Sequence, residues 1–188
     1  MNNYNNKIIV FTIGRFNPPT KGHAFLINTV IKKSVGLKSK YYIFTTQTHD
    51  HKKNPLNIDD KLFFLRQAFK GVTFIKVTNA EEALVFLLNK GYKQLIVILG
   101  EDRDKVFLGL FNYFLSNKAV DKFGNKFKSI KVFSLSRNKE KGGRDESASA
   151  AREAVKNNNF KLFKKISVNL SENLLKKLFY LVKKELGV

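Results

Sequence analysis

Cysteine and tryptophan are absent from the 188 residues, and proline and histidine occur three times each. Without cysteine there is no disulfide framework, no thiolate metal cluster and no thiol nucleophile. Long hydrophobic runs are also missing. The longest apolar stretches, Lys7 to Gly14 and Gln94 to Gly100, are of strand length and far short of the roughly 20 residues that a membrane-spanning helix needs. No membrane-crossing segment is therefore expected. The polar start Met1-Asn-Asn-Tyr-Asn-Asn has neither the basic opening nor the apolar middle of a signal peptide, which points to a soluble cytoplasmic protein.

Acidic residues are scarce as well, with 15 Asp and Glu against 35 Lys and Arg for a formal charge of +20. Such an excess attracts polyanions, either nucleic acid or the phosphates of small molecules. It is mostly lysine and scattered along the whole chain, beside many Asn, Ile and Phe, so a solvated lysine surface is the preferred reading of it. No arginine-rich arm, zinc finger or aromatic RNA-recognition strand is present. With 43% apolar and 13% aromatic residues, the chain is too hydrophobic to be disordered and long enough for a core.

Short β-branched and aromatic runs alternate with helical patterns. Strands are expected at Lys7 to Ile13, Tyr41 to Thr46, Thr73 to Thr78, Leu95 to Leu99 and Ser129 to Leu135. Apolar residues at three- and four-residue spacing predict helices near His23 to Lys33, Ile58 to Phe69, Ala80 to Lys90 and Asp104 to Leu115. Continuous apolar strands separated by helices imply a parallel sheet covered on both faces, because each parallel connection needs a crossover. The expected architecture is a single doubly wound, Rossmann-like α/β domain over 1-188, with about five parallel strands in a core over 7-135. A polar loop, Ser136 to Glu146, precedes a helical extension over 147-187: Ser147 to Lys156, Phe160 to Ile166, and a last helix opened by Ser171. That last helix carries Leu174, Leu175, Leu178, Val182 and Leu186 on one face and Lys176, Lys177, Lys183 and Lys184 elsewhere. Docking on the protein's own core explains such a face, as would a membrane or nucleic acid.

Three segments concentrate the chemistry. The first, Gly14-Arg-Phe-Asn-Pro-Pro-Thr-Lys-Gly-His23, follows a strand. Gly14 permits a sharp turn and close approach to a ligand, the paired prolines stiffen the loop, and Gly22 removes bulk at the helix start. The helix N-terminus offers backbone donors and a positive dipole end to an anion. Thr20 and His23, three residues apart, can address the same anion, and Lys21 adds charge. The second segment is Gly100-Glu-Asp-Arg103, at the end of an apolar strand, where doubly wound sheets place ligand contacts. An ordinary strand-to-helix turn, capped by Asp102 or Asp104, accounts for it as well. The third is Glu146-Ser-Ala-Ser-Ala-Ala-Arg152, in which Ser147 and Ser149 can cap a helix and donate to phosphate oxygens while Arg152 reaches the same anion one turn on. A plain capped helix is its simpler explanation.

The first segment resembles the Thr-x-Gly-His signature of the nucleotidylyltransferase superfamily, which includes nicotinamide mononucleotide adenylyltransferase, phosphopantetheine adenylyltransferase and the glycerol-phosphate and choline-phosphate cytidylyltransferases. Gly14-Arg-Phe-Asn17 looks most like the adenylyl-transferring branches and the small nucleotidyltransferases of phages and large DNA viruses. The third segment resembles the second signature, Ser-Ser-Thr-x-x-Arg, with Ala148 and Ser149 as departures. Lys52-Lys-Asn-Pro-Leu56 and Phe160-Lys-Leu-Phe-Lys-Lys165 resemble segments of the viral members. The resemblance spans about residues 7 to 166, and a viral origin would place the protein in the host cytoplasm.

The resemblance implies transfer of AMP from ATP to a phosphate-bearing small molecule with release of pyrophosphate, with nicotinamide mononucleotide as leading acceptor and NAD synthesis as the role. It implies Thr20, His23 and Arg152 as the catalytic set. Gly14, Arg15, Phe16, Asn17, Lys21, Gly22, Gly100, Asp102, Arg103, Ser147 and Ser149 would bind nucleotide, and Lys52 and Lys53 are weaker candidates for the acceptor phosphate. Mg2+ would be bound mainly through the ATP phosphates, with no metal held by the protein itself. His49-Asp-His51 suggests a metal site, but solvent-exposed loop residues are the expectation there. The cytidylyltransferase segment Arg-Thr-x-Gly-Ile-Ser-Thr-Thr is absent, favouring ATP over CTP. The alternative is a nucleotidyltransferase fold with weak or no catalysis that binds nucleic acid or a virion component through its basic surface. Homo-oligomerisation is a further association this reading leaves open.

Overall fold

The computed structural model describes residues 7–100, 104–135 and 146–188. Its elements are β1 (Ile8–Gly14), α1 (Lys21–Gly36), β2 (Lys40–Thr46), α2 (Ile58–Ala68), β3 (Phe74–Val77), α3 (Ala80–Asn89), β4 (Gln94–Gly100), α4 (Asp104–Leu115), α5 (Asn117–Phe123), β5 (Ser129–Leu135), α6 (Ala148–Lys156), α7 (Phe160–Ile166) and α8 (Glu172–Leu186). The strands lie in one five-stranded sheet in the order β3-β2-β1-β4-β5, the strand order of a doubly wound α/β fold. β4 runs parallel to both its neighbours, with Ile9 opposite Leu95 and Leu95 opposite Ile130. Its five consecutive residues Leu95 to Leu99 are all buried, as expected for a parallel strand covered on both faces.

The observed elements follow the sequence expectations closely, and the differences have local causes. Asn57 starts α2 by accepting the backbone N–H groups of Asp59 and Asp60, and Asn79 starts α3 by accepting that of Glu82. The helix α5 is absent from the periodicity reading, since Ala119, Val120 and Phe123 are its only apolar residues and Ser116 alone parts it from α4. Gly124 ends it in the left-handed conformation at φ 70°.

Two compact units, each assembled from three stretches of chain, make up the protein. The first comprises Met1–Ile13, Leu26–Phe44 and Val77–Arg137. Its core joins Leu95 to Leu99 with edge-to-face aromatic pairs, Phe11 with Phe44 and Tyr42 with Phe86, and with the Phe114, Phe123 and Phe127 rings. The second comprises Gly14–Phe25, Thr45–Lys76 and Asn138–Val188. Its core is built from Leu56 and Phe64 with Ala151, Ala154 and Val155 of α6, Phe163 and Ile166 of α7, and Leu178, Phe179 and Val182 of α8. The apolar face expected for α8 thus docks on its own unit. Phe179 joins that face, while Leu174 and Leu186 are only partly buried against it.

Candidate active site

The first and third motifs and the Lys52 to Leu56 segment all belong to the second unit. Thr20 is completely buried and occupies the N-cap position of α1, its carbonyl accepting the Ala24 N–H at 3.0 Å. Its own backbone N–H donates to Nδ1 of His23 at 3.1 Å, and its hydroxyl lies 3.2 Å from the same nitrogen. This is the return half of a capping box, with imidazole in the place usually taken by Glu. Because Nδ1 accepts a main-chain N–H, the neutral ring carries its proton on Nε2. The Thr20–His23 spacing therefore joins the two residues to each other, and Thr20 sets the tautomer and orientation of His23. The Phe16 ring packs edge-on against the imidazole, 5.0 Å between centroids.

Gly14 and Gly22 are explained by packing. A Cβ on Gly14 would sit 2.7 Å from Cζ of Phe16, whose own backbone is left-handed at φ 47°. The space beside Gly14 is thus taken by the Phe16 ring, where the sequence suggested a ligand. A Cβ on Gly22 would meet the Glu146 carbonyl oxygen at 3.0 Å. Gly22 accordingly lets the start of α1 approach the residue that precedes the third motif.

The loop between these glycines is held from several sides. Asn17 is buried, donates to the Leu56 carbonyl at 2.8 Å and accepts the Leu56 N–H at 2.9 Å. The Asn17–Pro18 peptide is cis. Thr20 forms an antiparallel bridge with Ser167, and the Val168 N–H reaches the Pro19 carbonyl. Arg152 donates to the Asn17 carbonyl at 2.7 Å and to the Ser149 hydroxyl at 3.0 Å. Ser147 is the true N-cap of α6, accepting the Ala150 N–H at 3.1 Å. The two serines of the motif therefore divide the work: Ser147 caps the helix, and Ser149 orients Arg152.

The loop after β2 is organised by Asp50. Its carboxylate accepts the backbone N–H groups of Lys53, Lys52 and Asn54 and the side-chain amide of Asn54. These bonds, led by Lys53 and the Asn54 amide, hold Asp50 far below the usual carboxylate range. Lys52 and Lys53 stand exposed on this fixed turn. His49 and His51 are exposed too, bonded to the carbonyls of Pro55 and Glu185, with the Glu185 carboxylate 3.8 and 3.9 Å away. No group of three metal-ligating side chains occurs among the described residues.

Sequence reasoning missed Lys61. It is completely buried, and Nζ donates to the Thr46 carbonyl at the carboxyl end of β2. No carboxylate lies within ion-pairing distance of it among the described residues. Burial pulls its pKa down to about 8, and the positive charge of Arg15 adds to the effect. Burial lowers that of Arg152 also, again helped by Arg15, while Asp50 opposes the shift. Arg15 thus acts on both Lys61 and Arg152, and the carboxylate that acts on Arg152, Asp50, already accepts four hydrogen bonds. A signal was present: Lys61 takes a stripe position in Ile58-x-x-Lys61-Leu62-x-x-Leu65, where an apolar residue is the rule.

Of the other expected residues, Arg15 and Lys21 are exposed, and Gly100 ends β4 with open space where a Cβ would stand. Asp102 and Arg103 lie outside the described residues. No helix among the described residues is long and apolar enough to cross a membrane.

A doubly wound sheet with a nucleotidyl-transfer signature at the end of its first strand defines a class of phosphate-handling α/β proteins. Residues 11–154 match the model of the cytidylyltransferase-like family, and the chain belongs to that family. It is 26% identical over 106 residues to a protein of Thermosipho melanesiensis described as a probable nicotinate-nucleotide adenylyltransferase, the match covering 52% of each chain. The chain thus matches about half the length of that relative. A Thermotoga maritima structure, TmcAL bound with alpha-thio ATP, superimposes with a TM-score of 0.52 at 12% identity, covering 96% of this chain and 56% of the other. That likeness is one of fold.

Proposed function

We propose that this chain transfers AMP from ATP to the phosphate of a small-molecule acceptor, releasing pyrophosphate. The observation that carries this reading is that the charge of Arg15 acts on both Lys61 and Arg152, with Arg152 bracing the loop that leads to the Nε2–H tautomer of His23 and no carboxylate ion-paired to any of the three among the described residues. Cations held together in this way are stabilised by a polyanionic ligand. Triphosphate carries the charge they lack.

In the reaction an oxygen of the acceptor phosphate attacks the α-phosphorus of ATP, the bond from that phosphorus to the bridging β-oxygen breaks, and the electron pair leaves with pyrophosphate. The nucleophile is already ionised near neutral pH, so no general base is required. The barrier is repulsion and misalignment among anions, and the protein lowers it by placing positive charge and donors in advance. His23 donates from Nε2 to the α-phosphate region as charge builds there, with Thr20 as its positioning residue. Arg152 and Arg15 hold the β- and γ-phosphates. Lys61, buried behind them, contributes its charge at short range. ATP would enter as its magnesium complex, the metal held mainly through the phosphates, while the Asp50 carboxylate is engaged with Lys52, Lys53 and Asn54.

The named relative, together with the missing cytidylyltransferase segment, supports ATP as donor and a pyridine mononucleotide as acceptor, with nicotinamide mononucleotide first and nicotinate mononucleotide beside it. Lys52 and Lys53, exposed on the Asp50 turn, would meet the acceptor phosphate. The test is pyrophosphate release from ATP and separately CTP, with nicotinamide mononucleotide, nicotinate mononucleotide and phosphopantetheine as acceptors. Release with ATP and one pyridine mononucleotide is expected, and His23→Ala should lower kcat by roughly 10²–10³-fold with an unchanged circular dichroism spectrum. Undiminished turnover in His23→Ala, or no release with any pair from folded protein, contradicts the proposal.

A further inference from the structure

The C-terminal stretch is strongly basic. Between Lys156 and Val188 stand eight lysines against two acids, Glu172 and Glu185. Both acids are engaged: Glu172 is shared by Lys164 at 2.7 Å and Lys176 at 3.3 Å, and Glu185 faces His49 and His51. The buried residues of α8 are Leu175, Leu178, Phe179 and Val182. Helical spacing therefore puts Lys176, Lys177, Tyr180 and Lys184 on the opposite, outward side, and all four are exposed.

That outward side also carries aromatic surface. Tyr180 is 66% exposed, and Phe63 is 38% exposed with Lys177 Nζ 4.9 Å from its ring centroid. Each ring packs edge-on against a core phenylalanine, Phe63 on Phe64 and Tyr180 on Phe179, and leaves its remaining surface exposed beside ammonium groups. Lysines alone would bind any polyanion. Exposed rings flanked by lysines match a ligand that offers phosphates and unpaired base faces together.

We infer that the outward face of α8, formed by Lys176, Lys177, Tyr180 and Lys184 with Phe63 beside it, is a binding surface for single-stranded nucleic acid. Two other anionic partners fit less well. A membrane would need the helix's apolar face to insert, and Leu175, Leu178, Phe179 and Val182 already pack inside the protein. Duplex nucleic acid keeps its bases stacked internally and has no use for the rings. The inference does not rest on the catalytic proposal.

The experiment is fluorescence anisotropy of the full chain with a labelled 20-nucleotide single strand, the matching duplex, and phosphatidylserine vesicles as competitor, over a series of salt concentrations. The variants are Tyr180→Ala and the triple charge reversal Lys176→Glu/Lys177→Glu/Lys184→Glu, each checked for fold by circular dichroism and for pyrophosphate release. The triple variant should lose at least about 100-fold in affinity at low salt, with the slope of log K against log salt flattened by roughly 2. Tyr180→Ala should lose about tenfold with its slope unchanged. Wild-type binding by the triple variant overturns the inference. So does equal binding of duplex with no effect of Tyr180→Ala, which is plain polyanion adhesion, or displacement of the strand by vesicles.

Discussion

The two compact units bury different kinds of side chain. In the first, the core is apolar and aromatic, and Thr12 and Ser34 are its buried polar residues among those described. In the second, Asn17, Thr20, Thr45, Asn54, Lys61 and Ser167 are all buried. Burying polar groups opposes folding unless each finds a partner. Asn17, Thr20 and Asn54 find theirs within the loops that carry the motifs, whereas Lys61 has only a neutral carbonyl for its charge. The first unit is composed as a folding core. The second gives up some of that economy to hold a preorganised, positively charged site.

This contrast can be broken by experiment. The largest expected effect is on stability in the first unit. Leu95→Ala removes a buried side chain from the middle of the sheet and should cost about 2–5 kcal/mol in denaturant unfolding. Turnover per folded molecule should remain unchanged, because Leu95 lies at the opposite end of β4 from Gly100. A loss of specific activity in the folded fraction would show that the two units do not divide their roles in this way.

A smaller effect concerns pH. Lys61 titrates near 8 in the folded protein, below its ordinary 10.5. The unfolded chain therefore binds more protons between about 8 and 10.5, and this group's contribution to stability rises with pH across that window and is lost as pH falls through 8. Nucleotide binding has the opposite sign: an anion favours protonated Lys61, so affinity should be full below pH 8 and weaken above it, by at most about tenfold per pH unit. Titration calorimetry with ATP from pH 7 to 9 checks this against Lys61→Met, whose profile should be flat. A wild-type profile equally flat would remove Lys61 from the site's electrostatics.

Much of the fold was legible because its signals are local and redundant. Leu95 to Leu99 is a continuous apolar run of strand length, and Ser171 followed by a period of three and four fixes the start of α8. The short α5 was not legible, since Ala119, Val120 and Phe123 are its only apolar residues, whereas α7, of the same length, carries Phe160, Leu162, Phe163 and Ile166. In the candidate site, the spacing of Thr20 and His23 pointed to a shared role, but only the structure shows that the His23 ring bonds Thr20 itself. The reason for Gly22 lies in the carbonyl of Glu146, more than a hundred positions away, which a linear reading cannot reach. Lys61 was hidden among many lysines, although its place in the apolar stripe of α2 distinguished it.

The central claim is that the second unit buries charge for a ligand and at the expense of its own stability. Lys61→Met tests it most directly, with thermal unfolding and ATP affinity measured on the same protein. Replacing a buried, unpaired cation by an apolar side chain of similar length should leave stability unchanged or raise it by about 1–4 kcal/mol, while ATP affinity falls roughly 10–100-fold, the weight of one charge at short range. A variant that is strongly destabilised yet binds ATP like the wild type would contradict the account and make Lys61 a structural residue.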